Sequence, residues 1–232
     1  MERISVSVRI RPLNVREAKT RAGGSTWRVA GDSIAQLGSD GKGGTLAPAP
    51  GSSYTFDKIF DQSSQNADVY DAVAKDIVGS TFAGINGTII AYGQTSSGKT
   101  HTMYGSAEEP GVVPLAIDAI FEALPRMADR LFLLRIYNDT VTDLISKQTN
   151  LAIREDFGAR FVVKGLSEEV VRSRDDVFRL MAVGEAGRSV GSTGMNERSS
   201  RSHTVFQLTI ESTSRAEHEG AQVFFQYLCM HI

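Results

Sequence analysis

Cysteine is almost missing from the sequence: Cys229 is the only one among 232 residues. A single thiol cannot form a disulfide within the chain, and it cannot provide a cysteine-based zinc site. We therefore expect a fold that depends on its hydrophobic core, in a reducing compartment. The chain is long enough to bury such a core as one domain.

The sequence also lacks a long apolar run and an excess of charge of one sign. No stretch approaches the ~20 apolar residues that a membrane helix needs, and the N-terminus has no apolar signal-peptide core. The 25 basic and 27 acidic residues give a formal net charge of −2. Such a balance provides no overall attraction to nucleic acid or to an anionic membrane. We expect a soluble intracellular protein that binds neither of them.

The hydrophobic pattern predicts interleaved strands and helices. Residues 3–11 alternate strictly between apolar and polar, which is typical of a strand, and Pro12 ends it. Residues 38–53 are rich in Gly, Ser, Ala and Pro and predict a surface loop. Helical spacing predicts a helix over 66–81, and the apolar run at 88–92 predicts a strand. Similar patterns predict helices at 114–124 and 175–185, and strands at 131–137, 160–163 and 204–211. We therefore expect a mixed α/β fold.

The run after the strand at 88–92 matches the phosphate-loop pattern G-x-x-x-x-G-K-[ST]. It reads Gly93-Gln94-Thr95-Ser96-Ser97-Gly98-Lys99-Thr100. Its glycines let the backbone wrap a phosphate with N–H groups inward, and the start of the next helix adds its positive end. Lys99 would reach the β- and γ-phosphates, and the Thr100 hydroxyl would bind Mg²⁺. The alternative is a Gly/Ser-rich loop that matches by chance.

A second polar cluster lies well beyond the phosphate loop, just ahead of the strand at 204–211. It reads Asn196-Glu197-Arg198-Ser199-Ser200-Arg201-Ser202-His203. One interpretation is a solvated loop with a helix cap. The other is functional, because hydroxyl groups and a guanidinium can sense a γ-phosphate and complete the coordination of Mg²⁺. Without this cluster, the phosphate loop would also fit an unrelated kinase or nucleotidase.

Together these motifs resemble the kinesin motor domain. Other runs that follow the pattern of that family are Arg9-Ile10-Arg11-Pro12, Tyr54-Thr55-Phe56-Asp57-Lys58-Ile59-Phe60-Asp61 and Gly87-Thr88-Ile89-Ile90-Ala91-Tyr92-Gly93-Gln94-Thr95. The resemblance extends from about residue 3 to about residue 222, and around the phosphate loop it is similar to the centromere-protein-E-like group common in plants. It implies a three-layer phosphate-loop NTPase fold with a mixed central sheet flanked by helices. Residues 1–232 would form a single incomplete motor domain with a divergent end at 223–232.

The resemblance also implies roles for individual residues. The residues expected to line the adenine are Arg9, Arg11, Pro12 and His101. Residues 93–100 should hold the phosphates. The first nucleotide switch should be formed by Asn196, Ser199, Ser200 and Arg201. Ser200 would lie near the γ-phosphate and would bind the metal together with Thr100. From the residues alone, the two N-terminal arginines could instead lie on an exposed strand face, and His101 could be a surface histidine.

As a member of this family, the chain would couple ATP hydrolysis to movement along microtubules. The resemblance therefore implies ATP and Mg²⁺ as ligands, microtubules as the partner, and the cytoplasmic cytoskeleton as the location. Water would attack the γ-phosphate in line, with catalysis by positioning and electrostatics. Part of the track-binding surface would be the loop over 147–174. Its basic residues are Lys147, Arg154, Arg160 and Lys164, which could also be ordinary solvated charges.

The sequence departs from the family after the first switch. In kinesins an apolar strand ends there in Asp-Leu-Ala-Gly-Ser-Glu, the second switch, whose aspartate supports the Mg²⁺ shell. Here the matching strand would be 223–232, and no aspartate occurs after Asp176. We therefore expect a truncated domain that lacks the second switch, the main microtubule contact and the neck linker. The alternative to a motor is a non-motile nucleotide-binding fragment. We also expect the sheet to be open after the strand at 204–211, with an exposed edge.

Overall fold

The computed structural model of the chain describes most of its length. The described residues are 4–20, 27–39, 45–83, 85–123, 128–137, 140–156, 160–189, 202–213 and 222–231. They group into two compact units, the first ending at Val69 and the second beginning at Tyr70. The phosphate loop belongs to the second unit.

The first unit contains two small groups of strands and two short helices. Its elements are β1 (Ser7–Arg9), α1 (Val15–Thr20), β2 (Trp27–Ala30), β3 (Ser33–Ser39), β4 (Thr45–Thr55), β5 (Lys58–Phe60) and α2 (Asn66–Val69). β1 and β5 pair in parallel, and β2, β3 and β4 form an antiparallel sheet in that order. The apolar side chains buried there include Ile34, Ile59 and Phe60.

The strand predicted over 3–11 is much shorter in the structure, where only β1 is a strand. Its parallel partner β5 has three residues, which limits the paired length. Single hydrogen bonds extend the pairing on each side, from the Asp57 N–H to the Val6 oxygen (3.0 Å) and from the Ile10 N–H to the Phe60 oxygen (2.8 Å). The expected apolar face is consequently not all buried: Ile4 is 88% exposed and Val6 50% exposed.

The prediction of a loop over 38–53 is wrong for its second half, because β4 begins at Thr45. β4 pairs with β3 through an irregular register that shifts on both sides of Leu37. Pro48 is tolerated in this strand because, among the described strands, β4 pairs with β3 alone and is an edge. The Ser52 hydroxyl, which is buried, donates to the Gln36 oxygen at 3.0 Å and adds a cross-strand bond. The glycine and proline content therefore marks an irregular edge strand.

The second unit alternates helices and strands, much as the hydrophobic pattern predicts. Its elements are a π-helical segment (Tyr70–Ala74), α3 (Lys75–Thr81), β6 (Gly87–Ala91), α4 (Lys99–Met103), α5 (Val112–Ala123), β7 (Ala128–Tyr137), β8 (Thr140–Asp143), β9 (Ile153–Asp156), β10 (Arg160–Val163), β11 (Glu169–Val171), α6 (Arg174–Ser189), β12 (Ser202–Thr213) and β13 (Gln222–His231). Helical turns cover the predicted helix at 66–81, with the π-helical segment inside it.

Most strands of the second unit form one mixed sheet in the order β11-β7-β12-β13-β6, and β8 pairs with β7. β13 is antiparallel to β12 and parallel to β6. The residues of β12 from Thr204 to Ile210 are buried except for Gln207, which is partly buried. Because successive strand residues point to opposite faces, both faces of the sheet are covered at β12. The expected mixed α/β fold is confirmed.

The sheet does not end at β12, so the expectation of an open edge there is wrong. Residues 222–231, whose sequence diverges from the family pattern, still form a ten-residue strand that pairs along β12 from Gln222 to His231. The strand on the far side of β13 is β6, which ends the order on that side among the described strands.

The two longer helices of the second unit bury apolar residues. In α5 the buried positions are Val112, Val113, Ala116, Ile117 and Ile120, which recur with helical spacing. In α6, Val177 is fully buried. Within the described ranges, no helix combines the length and the apolarity needed to cross a bilayer.

A buried carboxylate closes the segment between β8 and β11. The side chain of Asp143 accepts hydrogen bonds from the N–H groups of Ile145 (2.8 Å), Ser146 (3.3 Å) and Ser167 (2.7 Å), and from the Ser146 hydroxyl (2.8 Å). Burial raises the pKa of Asp143, but the hydrogen bonds, above all that from Ser167, outweigh it and hold the pKa below its ordinary value of 3.8. The hairpin of β9 and β10 lies within the segment closed in this way.

Candidate nucleotide-binding site

The phosphate-loop motif forms a strand, a loop and a helix, in the order that the sequence predicts. β6 ends at Ala91, and α4 begins at Lys99. The turn into the helix passes through Gly98, which has a φ of +97°. This left-handed conformation is open to glycine and costly for other residues, so the second glycine of the motif is required by the backbone. Ser96 also has a positive φ, of +63°.

Lys99 folds back over the loop that precedes it. Its ammonium donates to the backbone oxygens of Gly93 (2.6 Å) and Gln94 (3.1 Å). The Gln94 oxygen also accepts a hydrogen bond from the Ser97 N–H at 3.2 Å. The loop is therefore held closed by acceptors that phosphate oxygens can replace, since both carbonyl and phosphate oxygens accept from an ammonium group.

His101 lies two residues after Lys99, and its side chain is half exposed. Its Nε2 atom is 3.5 Å from a carboxylate oxygen of Glu109. Glu109 belongs to none of the sequence motifs described above. The only local signal was the Pro110-Gly111 pair after Glu109, which indicates a turn that brings the chain back. A turn signal alone does not say which side chain the returning segment will meet.

The start of β12 lies at the end of the sheet where the phosphate loop begins. Thr204 in β12 pairs with His231 in β13, and His231 pairs with Ala91 at the end of β6. Two strand spacings therefore separate Thr204 from Ala91, or roughly 10 Å. β12 begins at Ser202, so the last two residues of the second polar cluster, Ser202 and His203, belong to this strand. The predicted switch residues Asn196, Ser199, Ser200 and Arg201 lie outside the described residues.

Arg9, one of the predicted adenine contacts, lies in the first unit at the end of β1. Its guanidinium donates to the Asn66 side-chain oxygen and, at 2.9 Å, to the backbone oxygen of Ser64. Asn66 is fully buried. These bonds lie in the plane of the guanidinium, so its flat face is the part suited to stack on a base.

Arg11 and Pro12 follow Arg9 in the same unit. Arg11 forms a two-point ion pair with Glu17, and the hydrogen bonds of this pair raise the pKa of Arg11 above its ordinary value. Glu17 and Asn14 also exchange side-chain to backbone hydrogen bonds, a capping box at the start of α1. The Asn-x-x-Glu spacing predicts this helix cap, and the glutamate of the cap is also the partner of Arg11.

The metal donors expected from the resemblance are hydroxyl groups. Thr100 is the second residue of α4 and is exposed. Hydroxyl, phosphate and water oxygens suit Mg²⁺, which keeps several waters and needs few protein ligands. Within the described part of the chain, no three His, Cys, Asp or Glu residues come together as a metal site. The donor set therefore fits a metal ion that arrives with a nucleotide.

The predicted track-binding segment over 147–174 contains a hairpin, in which β9 and β10 pair in antiparallel fashion. Its exposed apolar side chains are Ile153 (55%), Phe161 (77%) and Val162 (43%). Three of its predicted basic residues have exposed side chains, namely Lys147, Arg154 and Lys164. Arg160 begins β10, and its side chain lies outside the described part.

A strand that leads through a phosphate loop into a helix, within a mixed α/β fold, defines a phosphate-loop nucleotide-binding protein. The sequence model of one such family, the kinesin motor domain, matches residues 9–229. The chain therefore belongs to the kinesin motor domain family. The interpretation as an unrelated kinase or nucleotidase is wrong, because the match extends far beyond the phosphate loop.

Individual relatives support this assignment. The chain is 44% identical over 227 residues to kinesin-like protein KIN-7O of Arabidopsis thaliana and 43% identical over 227 residues to kinesin-like protein KIN-7I of Oryza sativa subsp. japonica, with 95% of the chain covered in each case. It spans only 17% and 18% of the lengths of these relatives. The solved structure of a fast kinesin matches with a TM-score of 0.86 and 31% identity, covering 98% of this chain and 64% of that one. The expected kinesin-motor fold is confirmed.

Proposed function

We propose that this chain binds ATP with Mg²⁺ at residues 93–100 and hydrolyses it, as part of a motor that moves along cytoplasmic microtubules. The observation that carries the proposal is the continuous arrangement of β6, the loop and α4, in which the Lys99 ammonium lies against the loop backbone. Membership of the kinesin motor domain family supports the coupling of hydrolysis to microtubules.

In this proposal, Lys99 exchanges the Gly93 and Gln94 oxygens for oxygens of the β- and γ-phosphates. A hydrogen bond from an ammonium to an anionic oxygen is roughly twice as strong as one between neutral groups. Phosphate binding therefore favours release of the lysine from the loop. The backbone N–H groups of the loop then surround the phosphates, because the positive φ at Gly98 turns the chain around them.

The remaining site residues keep the roles that the resemblance implies. The proposed adenine contacts are Arg9, Arg11, Pro12 and His101. The proposed first switch consists of Asn196, Ser199, Ser200 and Arg201, and its polar groups orient the attacking water and stabilise the γ-phosphate. The register that places Thr204 near Ala91 supports this role, because the switch residues precede β12 directly. Thr100 and Ser200 would hold Mg²⁺, which when bound neutralises charge on the phosphates.

The hairpin of β9 and β10 is the proposed part of the microtubule contact within the described residues. Exposed Phe161 and Ile153 provide apolar surface, and Arg154 and Lys164 provide positive charge beside it. Aromatic residues and arginine are enriched in protein interfaces. An anchored hairpin with this composition suits a large protein partner better than a small molecule.

Calorimetric titration with Mg·ADP tests the nucleotide site. Wild-type protein should bind, and Lys99→Ala should lower the affinity by about 10- to 100-fold, the value of a charged hydrogen bond or two. Lys75→Ala is the matched control, because Lys75 is an exposed lysine of the same unit that is paired with Asp71 at 3.0 Å. Equal affinity of Lys99→Ala and wild type would refute the proposed site.

Steady-state hydrolysis of Mg·ATP, with and without polymerised tubulin, tests the motor. Turnover that tubulin stimulates and that Lys99→Ala abolishes is the expected result.

A second candidate function is nucleotide binding without turnover or movement. It is favoured by β13, which lies beside β6 and contains no acidic residue from Gln222 to His231 to support a metal shell. Tight binding of Mg·ADP with no hydrolysis above Lys99→Ala would establish that alternative.

A further inference from the structure

We propose that Glu109 is a positioning residue that holds the His101 imidazole for contact with the nucleobase. The inference rests on the proposed function, since it takes the loop at 93–100 to bind a purine nucleotide. It adds a residue outside the phosphate-loop motif to the site. The chemistry is a carboxylate that fixes an aromatic ring, and the ligand is a nucleoside phosphate whose base meets that ring.

The contact between the two side chains determines how the ring is presented. The Nε2 atom of His101 lies 3.5 Å from the carboxylate of Glu109, and the side chains are 53% and 38% exposed. A carboxylate can only accept a hydrogen bond, so this contact favours the tautomer and the ring orientation that present an Nε2 proton to Glu109.

The backbone that carries Glu109 is a compact hairpin after α4. The Ser106 N–H donates to the Glu109 oxygen (2.9 Å), the Glu109 N–H donates to the Ser106 hydroxyl (3.2 Å), and the Gly111 N–H donates to the Tyr104 oxygen (3.1 Å). Gly105 has a φ of +70°, and a Cβ there would lie 2.1 Å from the Glu109 oxygen. The close approach requires glycine, and it places Glu109 at a fixed distance from the end of α4.

The neighbouring Glu108 has a different partner and provides a matched control. Its carboxylate accepts a hydrogen bond from the Ser106 hydroxyl at 2.9 Å, which lowers the pKa of Glu108 below its ordinary value of 4.5. The two glutamates lie in the same hairpin and carry the same charge. Of these two glutamates, it is Glu109 whose carboxylate lies against His101, so the effect on the base is expected for Glu109 and not for Glu108.

The experiment compares Mg·ADP with Mg·pyrophosphate, which has phosphates but no base. Both are titrated into the 232-residue chain as wild type, Glu109→Ala, Glu109→Gln, Glu108→Ala and Lys99→Ala. Glu109→Ala should weaken Mg·ADP about fivefold, the value of one hydrogen bond, and leave Mg·pyrophosphate unchanged. Glu109→Gln should stay within about twofold of wild type, because its side-chain oxygen still accepts from Nε2. Glu108→Ala should match wild type for both ligands.

Nitrogen NMR of the His101 ring gives a readout in the ligand-free protein. Wild type and Glu109→Gln should show a protonated Nε2, and Glu109→Ala should show a mixture of tautomers. The proposal is overturned if Glu109→Ala binds Mg·ADP as wild type does, or if it weakens Mg·pyrophosphate equally, which would indicate a structural role. If Lys99→Ala and wild type bind Mg·ADP equally, the proposed nucleotide site itself is wrong. That result would also overturn the role proposed for Glu109.

Discussion

Replacement of Asp143 should cost the second unit a large part of its stability. This carboxylate is 0% exposed and accepts hydrogen bonds from Ile145, Ser146 and Ser167, the last of which lies 24 residues further along the chain. Asp143→Ala removes the acceptor for all of these bonds. Asp143→Asn keeps an oxygen for the N–H groups of Ile145 and Ser146, and it presents an NH₂ group to the Ser167 N–H and the Ser146 hydroxyl. The Ser146 hydroxyl can accept from this NH₂ group, whereas the Ser167 N–H cannot.

The expected magnitude follows from these bonds. A hydrogen bond to a charged group contributes about 1.5–3 kcal/mol, and donors that can reach water recover part of that loss. Since the donors of Ile145, Ser146 and Ser167 are only partly buried, we expect a loss of about 3 kcal/mol for Asp143→Ala and about 1.5 kcal/mol for Asp143→Asn. For a chain of this length, a loss of about 3 kcal/mol lowers the thermal midpoint by roughly 6–12 °C.

Urea and thermal unfolding followed by circular dichroism measure these losses. Asp176→Ala is the control, because Asp176 also accepts from a backbone N–H and a serine hydroxyl but at the exposed start of α6, where its loss should be much smaller. The pH dependence has a defined sign. Because the folded pKa of Asp143 is lowered, its contribution is present above the ordinary value of 3.8 and disappears as the pH falls through the folded pKa. An Asp143→Ala protein as stable as wild type at neutral pH would refute the reasoning.

Three further changes test other parts of the structure. Gly105→Ala should lower the free energy of unfolding by about 3 kcal/mol in thermal unfolding, because its Cβ would overlap a backbone oxygen across the hairpin. Gly165 has a similar positive φ but only ordinary contacts, so Gly165→Ala should lower it by about 1 kcal/mol. Phe161→Ala should leave the thermal midpoint unchanged and weaken cosedimentation with microtubules several-fold, since the ring is 77% exposed; unchanged cosedimentation would exclude this ring from the contact. Asn66→Ala removes a fully buried hydrogen-bonding group and should lower the stability of the first unit by about 2 kcal/mol, measured in urea by the fluorescence of Trp27, the single tryptophan.

The parts of the fold that local patterns determine could be predicted from the sequence. The strand at 88–92, the loop at 93–98 and the helix that begins at Lys99 are formed by one continuous run, and the structure has them in place. The helices at α5 and α6 carry apolar residues at helical spacing, and both were predicted to within a few residues. Such elements depend on their own residues more than on distant partners.

The errors arise where a distant partner decides the outcome. Ile4 belongs to an alternating pattern, yet no strand among the described residues covers it, because β5 is only three residues long. Thr45 begins a strand in a segment rich in glycine and proline, because β3 supplies a pairing edge that local propensity does not report. Residues 222–231 depart from the family pattern and still form β13, because β12 and β6 supply a pairing edge on each side.

In the candidate site, the motif residues could be predicted and their neighbours could not. Lys99 and Gly98 are specified by the spacing of a known loop. Glu109, which meets His101, and Asn66, which meets Arg9, reach their partners through turns and through contacts across tens of residues. Tertiary contacts of this kind leave no periodic signal in the sequence, so the residues that hold the binding side chains emerge only from the structure.

The strand that leads into the phosphate loop is also an edge strand of its sheet. Among the described strands β6 pairs only with β13, and its residue Ile90 is 55% exposed. Nucleotide binding and the order of β6 are thermodynamically linked. If the nucleotide binds only when β6 is ordered, then binding stabilises the ordered strand and hence this edge of the sheet. A ligand at 100 times its dissociation constant adds about 2.7 kcal/mol to the folded state. Bound nucleotide would therefore stabilise this side of the sheet. Each release of product would remove that stabilisation from β6, the strand that must be ordered when the next nucleotide binds.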